Sequence, residues 1–391
     1  MRYVAELLID EISQRIKDHI EREHREKPKA RHVGDPLPNV DALTAEFLTE
    51  VLQQRWPDAV VEECSVEPVS EGTHHRHRIR MNVSGDDGAP TTLFTKSLPT
   101  LEVRMIAGIT GHVRAEGRFY KQIRPELDIE APHCYESWFD RESLAGMHIF
   151  EDLAVTKQAT FCNFETYVTE EMATEQVVLL AKMHGQLLND PRFEDEWSWV
   201  TPFDRWFRGG ITKLGIDQYH EEAMLQAADL IPARLMDQRP QLWDAAIASL
   251  QPHIDGPTTF LHSDVHVGNW YQTGEGRMGL CDWQCVGRGH WSRDLAYVIT
   301  AALRVDDRRK WEEGLVRAYA AQLSESSKAD VSFDEAFLGY RRQIPHALLM
   351  WTPTLCHSDL LPHMQSDETS LAMIERMCAA IDDVDSIAAN A

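Results

Sequence analysis

The chain has 391 residues, 43% of them apolar, which is enough for two lobes with a sizeable core and leaves no case for disorder or a fibre. Its 63 acidic residues outnumber its 39 basic ones, and the formal net charge of -24 argues against nucleic acid and anionic membranes as partners. No apolar run reaches the roughly 20 residues needed to span a bilayer, and the N-terminal segment mixes charge into every turn rather than forming a signal-peptide core.

The seven cysteines follow no regular framework, so a reduced, cytoplasmic setting is expected. Cys281 and Cys285 lack the second pair of ligands that a structural zinc requires.

In chain order, Val4, Leu7, Leu8, Ile12, Ile16 and Ile20 recur at helical steps and predict an amphipathic helix. A polar stretch from about Glu21 to Pro38 reads as a linker, so residues 1–40 are expected to form an arm. A second helix should start at Thr44, with Phe47, Leu48 and Leu52 on one side. From Val60 to Leu98, short apolar segments broken by Glu-Gly and Gly-Asp-Asp-Gly predict antiparallel strands. A long helical pattern follows from Thr100 to Ile123, and His148 to Leu153 reads as one more strand ending in a connector. Beyond Asn163 the chain is mainly helical, apart from strand signals between Phe260 and Trp283. The expected class is α+β: a β-rich first lobe over 41–150 and a mainly helical second lobe over 151–391, with a cleft between them.

The strongest chemical signal is Leu261-His262-Ser263-Asp264-Val265-His266-Val267-Gly268-Asn269, followed by Asp282 within Leu280-Cys281-Asp282-Trp283-Gln284. Between them, Trp270-Tyr271-Gln272 and Arg277 to Leu280 flank a Thr-Gly-Glu-Gly turn, the pattern of a hairpin. Phosphoryl transfer needs a carboxylate to orient an attacking hydroxyl and take its proton, and oxygen ligands for the Mg²⁺ that offsets phosphate charge. Asp264 fits the base, and Asn269 with Asp282 fits the metal ligands. Taken alone, His-x-Asp is an ordinary polar turn; the full set with its hairpin is far more specific.

The first lobe should then supply a lysine for the phosphates. Leu93-Phe94-Thr95-Lys96 alternates as a strand ending in Lys96. Met105, Ile109, Val113, Glu116, Tyr120 and Ile123 share a helix face, so Glu116 points inward among apolar residues and needs a partner, for which Lys96 is the candidate. The pair would hold the ammonium against the α- and β-phosphates of ATP.

These residues resemble the aminoglycoside phosphotransferase and choline kinase superfamily, which shares the protein-kinase fold. Glu-x-x-Phe-Tyr at Glu116 to Tyr120, Phe-Glu-Asp-Leu at Phe150 to Leu153 and Asp-Trp-Gln at Asp282 to Gln284 are most similar to its ecdysteroid-kinase-like branch. The resemblance covers roughly Leu43 to Leu323. It implies a bilobal protein-kinase-like fold, with adenine bound through backbone groups of a hinge at Glu151 to Leu153. Leu180 to His184 resembles the helix before the catalytic loop, and Asp294 the aspartate that braces it. Two departures stand out: Ser263 replaces the family's usual glycine, and the phosphate loop offers only Gly72. No Walker-type motif is present.

Weaker signals have bland readings beside sharp ones. His74, His75 and His77 read as an exposed loop rather than a metal site. His266 fits substrate contact or packing equally. Ile344 to Met364 reads as a packed core helix or, with Trp351, His357 and Trp291, as the wall of an apolar acceptor pocket that would suit a lipophilic alcohol. The leading expectation is an ATP- and Mg²⁺-dependent kinase acting on a small hydroxylated metabolite or antibiotic, as a monomer or homodimer. A nucleotide-binding pseudokinase is the alternative. A protein kinase is disfavoured, because the short gap from Asp282 to Asp294 leaves little platform for a peptide.

Overall fold

The computed structural model describes residues 2–70, 74–356 and 365–391, with backbone alone at 2–9, 106–107, 109–110 and 211–214. It divides into two compact units, one comprising residues 1–126 and 132–159, the other residues 127–131 and 160–391. The chain is α+β, with strands concentrated in the first unit and helices in the second.

The first unit is built on an antiparallel sheet in the order β1-β2-β3-β5-β4: β1 (Val60–Ser70), β2 (His75–Ser84), β3 (Thr92–Ser97), β4 (Cys134–Phe139) and β5 (Gly146–Glu151). Gly85 turns the chain after β2 at φ 86°, and a Cβ there would stand 2.0 Å from the Asp58 carbonyl oxygen, so only glycine fits. The sequence pattern indicates β1, β2, β3 and β5 but not β4. Every residue of that edge strand is half-buried, so it carries no alternation to read.

Helix α1 (Arg2–Glu26) runs through the start of the expected linker. The rest of that segment is packed rather than free: its Ala30 and Leu37 are buried in one core with Phe47, Leu48, Ile79, Leu93, Met147 and Ile149. Thr44 caps α2 (Ala45–Gln53), its hydroxyl accepting from Phe47 N at 3.1 Å. The long helical pattern after Thr100 breaks at Gly111, which has φ 72°. It resolves into α3 (Leu101–Thr110), α4 (His112–Arg118) and a π-turn over Phe119–Ile123. Arg104 of α3 is fully buried and ties four segments together. It donates to Leu98 O at 2.9 Å, to both carboxylate oxygens of Glu23 in α1 at 2.9 and 2.6 Å, and to Pro38 O at 3.4 Å. A short helix, α5 (Leu153–Thr156), follows β5.

In the second unit the predicted hairpin forms from β8 (Trp270–Gln272) and β9 (Met278–Leu280), joined on its edge by β6 (Thr160–Phe161). A separate pair, β7 (Thr259–Leu261) and β10 (Gly287–Gly289), brackets the Asp264 loop in sequence. Around these lie α6 (Glu170–Gln186), α7 (Ser292–Ala302), α8 (Val305–Ser327), α9 (Phe333–Leu355) and α10 (Asp367–Asp383), with α6 packed along α8 and α7 against α9. Every residue of α7 is buried. Among the described residues, no helix is long and apolar enough to cross a membrane.

Candidate active site

Lys96 lies near the end of the central strand β3, directly opposite His148 of β5. Its Nζ is 2.8 Å from Glu116 Oε2, and the two residues are only 5% and 1% exposed. Two buried charges are tolerated because each answers the other. His148 adds a third buried polar group that the sequence patterns do not single out. Its Nε2 is 3.6 Å from the same Glu116 oxygen, and its Nδ1 is 2.8 Å from Ser137 Oγ. Gly117 permits this approach, since a Cβ there would meet Ser137 Oγ at 2.3 Å.

The expected hinge is tightly held. Arg78 of β2 donates through Nε at 2.5 Å and Nη2 at 3.2 Å to the two carboxylate oxygens of buried Asp152. The Glu151 backbone N–H donates to His133 O at 2.9 Å, and the Glu151 side chain accepts from His133 N at 3.0 Å. Leu153 is buried at the start of α5. Gly72 lies outside the described residues. His75 and His77 sit on β2, and His74 is buried, so this cluster is not the exposed loop that its sequence suggests.

In the second unit, the residues around Asp264 are fixed one at a time. Asp294, fully buried in the first turn of α7, accepts from His262 N at 2.8 Å and from Ser263 N at 3.1 Å. Burial would raise its carboxyl pKa; the hydrogen bond from His184 and the neighbouring positive charges outweigh this and hold it below the usual range. Arg293 donates to Ser263 O at 3.0 Å. Ser263 has φ 66°, the left-handed region that glycine occupies without strain, which accounts for the family's usual glycine at this position.

His262 links the two halves of the motif. Its Nδ1 accepts from Asp264 N at 3.2 Å, so the proton resides on Nε2, which donates to Cys281 O at 3.0 Å. Burial lowers its pKa and keeps the ring neutral. Asn269 and the hairpin close the arrangement: Cys281 N donates to Asn269 O at 2.9 Å, bringing Asp282, with φ 62°, next to Asn269 in the backbone ladder. Asn269 Nδ2 donates to Asp264 O at 2.7 Å and more weakly to Asp264 Oδ2 at 3.3 Å.

With Nδ2 committed to Asp264, Asn269 has its amide oxygen to offer a cation, and Asp282 its carboxylate. This hard, all-oxygen pair fits Mg²⁺, which keeps several waters and takes its remaining ligands from phosphates. Among the described residues, no group of three or more His, Cys, Asp or Glu is arranged as a metal cage.

His266 lies with Nε2 3.7 Å from Asp264 Oδ2 and its ring 5.3 Å from Trp351, edge to face. Trp291 is fully buried against His290 and Tyr319, so it belongs to the core. Residues 344–355 of α9 are mostly buried, and His357 lies outside the described residues. Two polar side chains of α7 escape the motif patterns, Arg293 and Tyr297. Their signal is polar residues on the apolar face of a helix, at positions one before and three after Asp294.

A family model for a phosphotransferase enzyme family matches residues 110–330, a span that includes Glu116 and the whole loop from His262 to Asp294. No curated protein matches the sequence. Solved structures with a similar course include an ethanolamine kinase from Plasmodium vivax, at 13% identity over 81% of this chain and 81% of that one, with a TM-score of 0.47. A choline kinase from Cryptosporidium parvum Iowa II aligns at 11% identity over 84% of this chain and 88% of its own, with a TM-score of 0.48. An aminoglycoside phosphotransferase from Alicyclobacillus acidocaldarius aligns at 12% identity over 84% and 91%, with a TM-score of 0.47. Because the family model spans more than half of its residues, the chain belongs to the phosphotransferase enzyme family.

Proposed function

We propose that this phosphotransferase is a small-molecule kinase that moves the γ-phosphoryl group of ATP to a hydroxyl of a metabolite or antibiotic. The observation that carries this reading is the pairing of Asp264 with Asn269. Asn269 Nδ2 holds the backbone oxygen and, more loosely, the carboxylate of Asp264, and the backbone pairing of Asn269 with Cys281 sets Asp282 one residue away. In this reading Asp264 orients the acceptor hydroxyl and takes its proton as the new O–P bond forms and ADP departs. Asn269 and Asp282 hold Mg²⁺, which offsets charge on the β- and γ-phosphates when bound. Lys96, kept in place by Glu116, contacts the α- and β-phosphates. Gly72 contributes to the phosphate loop. Adenine is read by backbone groups of Glu151 to Leu153 other than the Glu151 N–H, which donates to His133 O.

The Glu-x-x-Phe-Tyr, Phe-Glu-Asp-Leu and Asp-Trp-Gln motifs support a place nearest the ecdysteroid-kinase-like branch. A protein-kinase-like arrangement and a cytoplasmic setting belong to the same reading; the seven cysteines are thiols rather than disulfides.

The test is a thermal-shift and turnover screen of wild type and Asp264→Asn with Mg-ATP, and with Mg-GTP alongside, against a panel of hydroxylated compounds. Stabilisation by nucleotide with phosphorylation of one compound class by wild type alone supports the kinase. Stabilisation without any turnover leaves the pseudokinase or an acceptor outside the panel, and no stabilisation by either nucleotide overturns the reading.

A further inference from the structure

Three polar side chains project from the first two turns of α7 toward the Asp264 loop, and they divide the work. Asp294 holds the backbone N–H groups of His262 and Ser263, and Arg293 holds the Ser263 carbonyl. Both act on the main chain. Tyr297, three residues after Asp294 and therefore on the same side of the helix, acts on the side chain itself: its hydroxyl is 3.2 Å from Asp264 Oδ1.

Tyr297 is 1% exposed, and the Arg293 guanidinium lies 4.8 Å from its ring centroid. Burial, reinforced by the charge of Asp264, pushes the phenol pKa well above its ordinary value. The hydroxyl therefore remains protonated and faces the carboxylate as a donor. Among the described residues, the other carboxylate oxygen, Oδ2, has the longer contacts to Asn269 at 3.3 Å and His266 at 3.7 Å. A carboxylate turning about its Cβ–Cγ bond would exchange the two oxygens. The buried tyrosine on one side makes them inequivalent.

We propose that Tyr297 is the positioning residue of the base: it pins Asp264 Oδ1 so that Oδ2 is the oxygen presented to the acceptor hydroxyl and the one that receives its proton. This rests on the kinase reading above. It adds a residue outside the motif, and a reason for a third polar side chain on a helix that is buried along its whole length.

The experiment compares wild type, Tyr297→Phe, Asp264→Asn and the double variant in single-turnover hydrolysis of Mg-ATP, with enzyme in excess and water as the acceptor. Thermal midpoints and Mg-ATP dissociation constants are measured on the same preparations. Tyr297→Phe keeps the ring and removes only the hydroxyl. It is expected to slow turnover by about 10- to 100-fold, the scale of a misplaced catalytic group, with nucleotide affinity and midpoint unchanged. In the Asp264→Asn background it is expected to cost nothing further, because residues acting as one unit are not additive.

Para-aminophenylalanine at position 297 restores a donor of similar reach and is expected to recover the rate. A wild-type rate in Tyr297→Phe overturns the proposal, as does an equal loss in both backgrounds or a failure of the amino analogue to rescue. Should the phenylalanine variant not fold, the amino analogue compared with wild type carries the test, and a rate at the Asp264→Asn level overturns it. A wild-type rate in Asp264→Asn itself brings down the kinase reading, which separates the two failures.

Discussion

In the first unit, Lys96 and Glu116 are almost fully buried and stand 2.8 Å apart, each the other's counter-charge. In the second, Asp264 and Asp282 are both partly open to solvent, and what holds them is a lattice of backbone and side-chain hydrogen bonds around His262, Asn269, Asp294 and Tyr297. Burial with a partner makes a clamp, and its energy lies in the pair. Acids left partly open to solvent depend instead on their scaffold, and the energy lies in the hydrogen bonds that keep them in place. The two regions should therefore fail in opposite ways when a carboxylate is removed.

The largest effect is expected in the open region. Asp264→Asn keeps size and hydrogen-bonding shape but loses the base, and should slow phosphoryl transfer by about 10²- to 10⁴-fold with little change in thermal midpoint; a rate near wild type would break the contrast. The closed region should respond in stability. Glu116→Ala leaves the Lys96 ammonium in a buried site without its carboxylate, and is expected to cost about 3 kcal/mol or more in denaturant unfolding. Asp282→Ala, by comparison, should stay within about 1 kcal/mol of wild type while abolishing Mg²⁺-dependent nucleotide binding. Equal destabilisation by both would mean that the second group of acids is also a structural clamp.

Acid should act on both units; in the first, burial drives the pKa of His133 down to about 4. The second unit packs His220, His253 and His290, and burial drives their pKa values down to about 4, about 4 and about 3. In the unfolded chain each would titrate near 6.5, so below that pH the unfolded state binds more protons. The stability they contribute is complete above pH of about 6.5 and is lost as pH falls toward 4. The thermal midpoint should fall across this window, and His220→Asn, which keeps an amide near Thr352, should flatten the slope; an unchanged slope would remove His220 from the account. The smallest effect is expected at Ser263. Its left-handed backbone favours glycine, so Ser263→Gly should stabilise the protein by about 0.5–1 kcal/mol, after the extra freedom of glycine in the unfolded chain is deducted. Chemical denaturation would detect this, and a loss of stability would show that the serine side chain holds the loop.

Much of the site was legible because its chemistry is local. The loop from His262 to Asn269 and the hairpin to Asp282 are short-range arrangements, and hydrophobic alternation located β3, β5 and the hairpin strands. The inward face of Glu116 was equally readable from helical spacing, even though Gly111 and a π-turn interrupt the long helix that the pattern suggested. Edge strand β4 was not legible, because a half-buried strand shows no period. Nor was the packing of 27–43, where Ala30, Leu37, Ala42 and Leu43 join the core from a largely polar stretch.

Sequence alone determined which residues can carry charge and ligate oxygen-seeking cations, since residue type and near spacing fix that within a loop or hairpin. Tertiary structure decided their partners: His148 beside Glu116, Glu23 against Arg104, and Tyr297 on Asp264, separated by 32, 81 and 33 positions. Contacts at such distances arise from how elements pack, and a buried polar side chain becomes informative only when the group that satisfies it is known.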